Sequence, residues 1–285
     1  MSRPAALPLA ATICLALCGC GDGKRPETST AADGGADASA RGISDDRGSP
    51  ADTGPPLDLY CDAGLSAAVG DCVEAFAAST GIRVIADYAG AGTLLSRIHG
   101  SARCDLYLAA SLHYVEEARR LDRVRSHQPV GYLVPVIVVR KGCPKQVQAL
   151  ADLAQPGLKL GLGDPKTCAI GKITQDLLAK NDLAREKIER NLAFVALSVG
   201  ELGEQLRAGR IDAAIVWDAT AAALAGAGNV VRIPRERNVV STAAVAVLRS
   251  STRLEAAQRF VDFLASEEGR AILARHHIAA EPPAP

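Results

Sequence analysis

The chain has 285 residues with 32 basic and 32 acidic side chains, so its formal net charge is zero and nothing in the balance favours a nucleic-acid partner. Aromatic residues make up only 4%, too few for base-stacking platforms or an aromatic-lined sugar cleft, so the core must come from Ala, Val, Leu and Ile. With five His, no G-x-S-x-G elbow and no H-E-x-x-H pair, the chain is poorly equipped as an enzyme and no residue takes a catalytic role.

The chain opens MSRPAALPLAATICLALCGC, with Arg3 ahead of an apolar run from Ala5 to Leu17. That run is too short for a bilayer span and reads as an export signal over residues 1–20. Its end, Leu17-Cys18-Gly19-Cys20, resembles the lipobox of bacterial lipoproteins. The resemblance implies lipidation at Cys20, which follows the small Gly19, and hence a periplasmic or cell-surface protein held to the membrane by a lipid anchor. A signal cut elsewhere would leave a soluble exported protein instead. Residues 21–56 are rich in Gly, Ala, Asp, Ser, Thr and Pro, bury too little surface to offset their ordering entropy, and are expected to form a disordered tether.

From Leu57 to about Ala280 the pattern is strand then helix, repeated. Strands are expected at 57–61, 82–89 and 104–110, with helices through Val69 to Ala77, from Thr93 to Ile98, and around Tyr114 to Ala118. The run VGYLVPVIVVRK (130–141) suits one strand buried on both faces. GCPKQVQALADL reads as loop and helix, 191–197, 211–217, 229–234 and 241–250 as strands, Val199–Ala208 and Asp218–Leu224 as helices, and Leu254–Ala274 as one closing amphipathic helix. Such alternation predicts an α/β fold with parallel pairs, in two sheet systems between which the chain crosses and returns.

Within it, Leu158 to Lys180 (LKLGLGDPKTCAIGKITQDLLAK) reads as a buried strand, a tight loop and a helix starting near Thr167 or Cys168, because Pro165 is tolerated only before a helix or in its first turn. A nucleotide P-loop would need Gly where Lys166 stands and Ser or Thr where Ile173 stands; a dinucleotide fingerprint fails at Lys166 too. What remains is a helix N-terminus, whose free amides can hold an anion. The other strand ends, Cys61 to Gly64, Ala89 to Gly92, Ser198-Val199 and Trp217-Asp218, are mostly small residues that expose backbone donors.

The pieces LYCDAGLSAAV, IRVIADYAGAGTLLSRI, CDLYLAASLHYVEEA, LGLGDPKTCAIGKIT and VGELGEQLRAGRIDAAIVWDA, in this order and spacing, resemble the periplasmic molybdate-binding proteins of ABC importers. The resemblance covers Leu57 to about Ile278. It implies an α/β, two-lobed periplasmic binding protein fold, each lobe a mainly parallel sheet flanked by helices, with residues 57–134 and 235–280 as lobe 1 and 135–234 as lobe 2. It also implies a molybdate or tungstate ligand in the interlobe cleft, no other cofactor, an ABC permease as partner, and a monomer. The ligand-binding set it implies is Gly64, Leu65 and Ser66 after the first strand, Ala91, Gly92 and Thr93 at the second helix, Ile170, Val199 and Trp217. The family's binding Ser residues are replaced here by Gly64 and Ala91, and its Tyr by Trp217, whose indole N–H can donate in place of a hydroxyl.

Lys172 and Arg97 are candidate cations for the cleft, although charged residues on helices are more often solvated. Asp62 either points inward, where it repels an anion, or caps the first helix. Cys168 at a helix start is expected to have a lowered thiol pKa, which together with Cys61 makes a thiophilic oxyanion or soft-metal site conceivable, though no C-x-x-C or Cys/His cluster occurs. Transport and ligand sensing for a membrane partner share this fold.

Overall fold

The computed structural model describes residues 54–100 and 103–282. The expected export signal, Cys20 and the tether up to residue 53 lie outside the described residues. Ahead of the first strand, the Pro55 carbonyl accepts a hydrogen bond from Arg253.

The first lobe begins β1 (Leu57–Asp62), a 3₁₀ turn at Ala63–Leu65, α1 (Ser66–Thr80), β2 (Val84–Ala89), α2 (Ala91–His99), β3 (Leu106–Ala109), α3 (Leu112–Arg120) and β4 (Val124–Leu133). Alternation along β1 buries Leu57, Leu59 and Cys61. Helix α1 stops at Gly81, which takes a left-handed φ of 72° and donates its N–H to the Ala77 carbonyl.

The second lobe follows with β5 (Pro135–Arg140), β6 (Leu160–Gly163), α4 (Ala169–Lys180), α5 (Arg185–Glu189), β7 (Leu192–Ala196), α6 (Val199–Arg207), β8 (Ala213–Trp217), α7 (Asp218–Ala222) and β9 (Gly228–Arg232). The chain then returns to the first lobe with β10 (Ser241–Leu248), α8 (Leu254–Ala265) and α9 (Glu267–Arg275).

Each lobe holds a five-stranded sheet, ordered β2-β1-β3-β10-β4 in the first and β7-β6-β8-β5-β9 in the second. Both are mixed: β1 pairs in parallel with β2 and β3, and β6 with β7 and β8, while β10 and β5 pair only antiparallel. Parallel neighbours require a crossover over the same sheet. The helical connections supply it for β1, β2 and β3 and for β6, β7 and β8, whereas β5 and β10 are reached by segments that cross between lobes.

The expected single strand over 130–141 is two strands, β4 and β5, broken at Val134 and belonging to different sheets. The apolar run continues through the break because both halves are core. The expected closing helix is also two, since Ser266 takes an extended conformation and caps α9, its Oγ accepting from the Gly269 N–H at 3.1 Å. In GCPKQVQALADL only a 3₁₀ turn forms, at Leu150–Ala154. Helix α2 begins at Ala91, two residues before the expected start, with Gly90 as its N-cap.

The two interlobe crossings, Val134 and residues 233–240, are tied together. Asp218 N–H donates to the Val134 carbonyl at 2.9 Å, Val134 N–H donates to the Asp218 carboxylate at 3.2 Å, and Asn238 Nδ2 donates to the Pro135 carbonyl at 2.9 Å.

Candidate functional site

The carboxyl ends of β1, β2 and β3 face those of β6, β7 and β8, so equivalent strand-to-helix loops meet across the interlobe cleft. From the first lobe come Asp62 to Leu65, Gly90 to Gly92 and Ala110; from the second come Asp164 to Gly171, Ser198-Val199 and Trp217. Ala91, Ile170 and Val199 lie in the first turns of α2, α4 and α6, where backbone amides lack a partner within the helix.

At Gly64 the lobes meet around a side chain. A Cβ built on it would lie 2.8 Å from Trp217 Cδ1, 2.9 Å from Trp217 Nε1 and 3.1 Å from Val199 Cγ1. The indole therefore occupies the space a side chain at residue 64 would need. Trp217 is fully buried, and its Nε1 has no hydrogen-bond partner. An unpaired buried N–H costs on the order of 1–3 kcal/mol, so this donor is an energetic demand for an acceptor in the cleft.

Gly90 and Gly92 close the gap from the other side. A Cβ on Gly90 would collide with the carbonyl oxygens of Leu197 and Thr167, and one on Gly92 with that of Lys166. Backbone-to-backbone contact is possible only because both residues lack a side chain. The Gly92 N–H donates to the Thr167 carbonyl at 2.9 Å, and the Tyr114 hydroxyl reaches the Pro165 carbonyl at 3.3 Å. The amide of Gly92, expected as a ligand donor, is thus engaged between the lobes.

Asp62 points inward. It is 3% exposed, and its Oδ1 accepts the Gly64 N–H at 2.8 Å, capping the 3₁₀ turn rather than α1 itself. The amides of Ala110 and Ala91 also act on this carboxyl, while Oδ2 has no hydrogen-bond partner. Burial pushes the Asp62 carboxyl up to about 6, and the amides of Gly64, Ala110 and Ala91 only partly oppose that rise. The Gly64 amide, expected as a ligand donor, is accordingly engaged by the protein's own carboxyl. The signal for this was present in the sequence, an Asp closing an otherwise buried strand, but its direction was not.

Helix α4 starts where the Pro165 argument places it, with Cys168 as N-cap. The Cys168 thiol is nonetheless raised, contrary to the expected lowering: burial dominates, and the Asp62 charge adds to it, over the opposing amides of Gly171 and Ile170. Cys61 is raised as well, by burial first and by Asp62 next. Both thiols stay protonated, a poor state for holding a soft metal. Among the described residues no group of three or more His, Cys, Asp and Glu is placed to hold a metal ion, and the five cysteines there are free.

The remaining expected residues sit nearby. Leu65 is buried, its neighbour Ser66 is half-buried and begins α1, and Thr93 is half-buried in the first turn of α2. Arg97 pairs with Asp87 at 2.5 Å and Lys172 with Asp176 at 2.7 Å, so both candidate cations belong to partly solvated ion pairs along their own surfaces. Sequence reasoning missed Ala110, Tyr107 and Tyr114. Tyr107 is fully buried and its hydroxyl donates to the Ala91 carbonyl at 2.7 Å, which fixes the start of α2.

Comparison with known proteins agrees with this geometry. The molybdate-binding protein ModA of Mycobacterium bovis is 27% identical over 218 residues, covering 75% of this chain and 81% of that protein. In structure, the periplasmic molybdate-binding protein of Azotobacter vinelandii matches with a TM-score of 0.70 at 17% identity, over 79% of this chain and 100% of the other. The sulfate-binding protein SubI of Mycobacterium tuberculosis matches with a TM-score of 0.71 at 20% identity, over 80% and 88%. These likenesses give the α/β, two-lobed periplasmic binding protein fold. The family model for bacterial extracellular solute-binding proteins matches residues 57–278, and the chain belongs to that family.

Proposed function

We propose that this chain is the extracytoplasmic substrate-binding lipoprotein of an ABC importer, which takes a compact tetrahedral oxyanion, molybdate or tungstate, into the interlobe cleft and delivers it to the permease. On this reading residues 57–134 and 235–280 form one rigid lobe, 135–234 the other, and closure turns about Val134 and residues 233–240. Cys20 carries the lipid, and the protein works as a monomer.

The observation that carries the reading is Trp217. Its buried, unpartnered Nε1 lies against Gly64, in a cleft onto which the N-terminal turns of α2, α4 and α6 also open. Three helix ends and one indole N–H make a donor-rich, side-chain-poor surface, which suits an anion with several equivalent oxygens. Ala91, Ile170, Val199 and Trp217 are the proposed donors, with Ser66 and Thr93 nearby as hydroxyls and Leu65 shaping the floor. The ModA relatives support molybdate; the similarity to SubI keeps sulfate among the anions to be compared.

The test is a thermal-shift series with molybdate, tungstate, sulfate and phosphate. A ligand that binds only the native state raises the melting temperature, and molybdate or tungstate is expected to give the largest rise. No rise with any of the four, together with a metal-induced rise that Cys61→Ala or Cys168→Ala abolishes, would overturn the reading.

A further inference from the structure

We infer that Asp62 makes oxyanion capture proton-linked: the anion is held together with one proton, shared between the Asp62 carboxyl and an anion oxygen. This rests on the oxyanion reading above. The carboxyl is 3% exposed at the head of the cleft, Oδ1 holds the Gly64 amide at 2.8 Å, and the amides of Ala91 and Ala110 face the same group. An anion lodged beside Gly64 and Ala91 therefore meets a carboxylate whose Oδ1 already holds the Gly64 amide.

No positive charge separates the two. The titratable groups that face Asp62 are Cys61 on its own strand, Tyr107 on β3, Tyr114 on α3, and Cys168 at the start of α4. Their own pKa values are all raised, so at neutral pH they carry no charge. The charged groups next outward are Asp164, which faces Tyr114, and Glu201, which faces Cys168; both are acids. Two negative groups confined without a counter-charge cannot both stay ionised, and the weaker acid takes a proton.

Asp62 is prepared to be that acid. Its carboxyl is already raised to about 6 in the unliganded cleft, and a neighbouring oxyanion raises it further. Oδ2, buried with no partner, is the atom that can carry the proton and donate it to the anion. A fully deprotonated oxyanion takes this proton up from solvent on binding and returns it on release, with no change to the anion itself. The carboxyl thereby replaces one of the hydroxyl donors that residues 64 and 91 lack.

The experiment is calorimetric titration of the full chain with molybdate across about pH 6 to 9, in buffers of different ionisation enthalpy, for the wild type, Asp62→Asn and Asp62→Ala. Wild-type affinity is expected to fall about tenfold per pH unit on the alkaline side, with close to one proton taken up per anion. Both variants are expected to bind with little pH dependence and no proton uptake. A flat wild-type profile without proton uptake would remove the proton linkage and leave the oxyanion reading standing. A slope equal in all three proteins would also overturn it, by assigning the proton elsewhere. Absence of molybdate binding by all three at every pH, with melting curves showing them folded, would bring down both readings. Should either variant fail to fold, the wild-type proton count alone decides.

Discussion

On the first lobe's wall the Gly64 and Gly92 amides are already engaged, one by the Asp62 carboxyl and one by the Thr167 carbonyl. On the second lobe's wall Trp217 Nε1 has no partner, and the Ile170 amide faces a thiol that burial keeps protonated. The two walls come from equivalent strand ends in sheets of matching order, so topology alone would make them alike. Side chains break the equivalence. One wall is occupied by its own acid, and the other retains an unsatisfied donor. The two walls therefore differ in what they leave open: an internal carboxyl on one and an unpaired indole N–H on the other.

The largest test of this difference is Gly92→Ala. Its Cβ would fall on the Lys166 carbonyl, and the walls could not meet. Alanine is favourable in the first turn of a helix, so the lobe itself should fold. Anion affinity should fall on the order of 100-fold, a loss of about 2.7 kcal/mol, while small-angle scattering shows a more open chain. Unchanged affinity would mean that the walls need not close as described.

Asp62→Asn probes the first wall without ligand. The folded carboxyl titrates near 6 against the usual 3.8, so the protonated form is the one folding prefers. The associated stability is fully present below about pH 4 and is lost as pH rises through about 6. At pH 7 the variant, which has no charge to bury, should therefore be more stable than the wild type by on the order of 2–3 kcal/mol. That advantage should vanish below about pH 4, as denaturant titration at the two pH values will show.

A smaller effect tests how the walls fit. Gly64→Ser places atoms within 2.8 Å of the Trp217 ring, and overpacking of this kind costs about 1–3 kcal/mol. Trp217→Tyr shortens the opposing side chain. In the double variant the losses should be less than additive by about 0.5–2 kcal/mol in thermal denaturation. Strict additivity would show that Gly64 and Trp217 do not constrain one another.

Much of the fold was legible because its signals are local. Gly81 ends α1 by its left-handed backbone, Pro165 sets the start of α4, and alternation marks β1. The errors arose where a local pattern has two tertiary solutions. The apolar run from Val130 to Arg140 reads the same as one strand or as two strands in different sheets; Pro135, directly after Val134, marks the crossing between lobes, but a proline is also tolerated at the start or edge of a single strand. Ser266 splits the last helix although the apolar spacing runs through it.

The loops of the candidate site were legible for the same reason: small residues at strand ends and a helix start after Pro165 are sequence features. What occupies the donors was not. Glycine at 64 and tryptophan at 217 stand out singly as replacements for the family's Ser and Tyr, and only their contact across the cleft shows that one requires the other. The Cys168 thiol at a helix start promised a low pKa until burial reversed the sign.

The sequence by itself therefore determined the alternation of strands and helices, the two-sheet division and the ring of small strand-end loops, since backbone preference and hydrophobic period act over a few residues. The tertiary structure alone decided which amides are engaged, which way Asp62 points and how Trp217 meets Gly64. Trp217 and Gly64 are far apart in the chain, as are Gly92 and Thr167, so these contacts depend on tertiary packing and on the dielectric that packing creates.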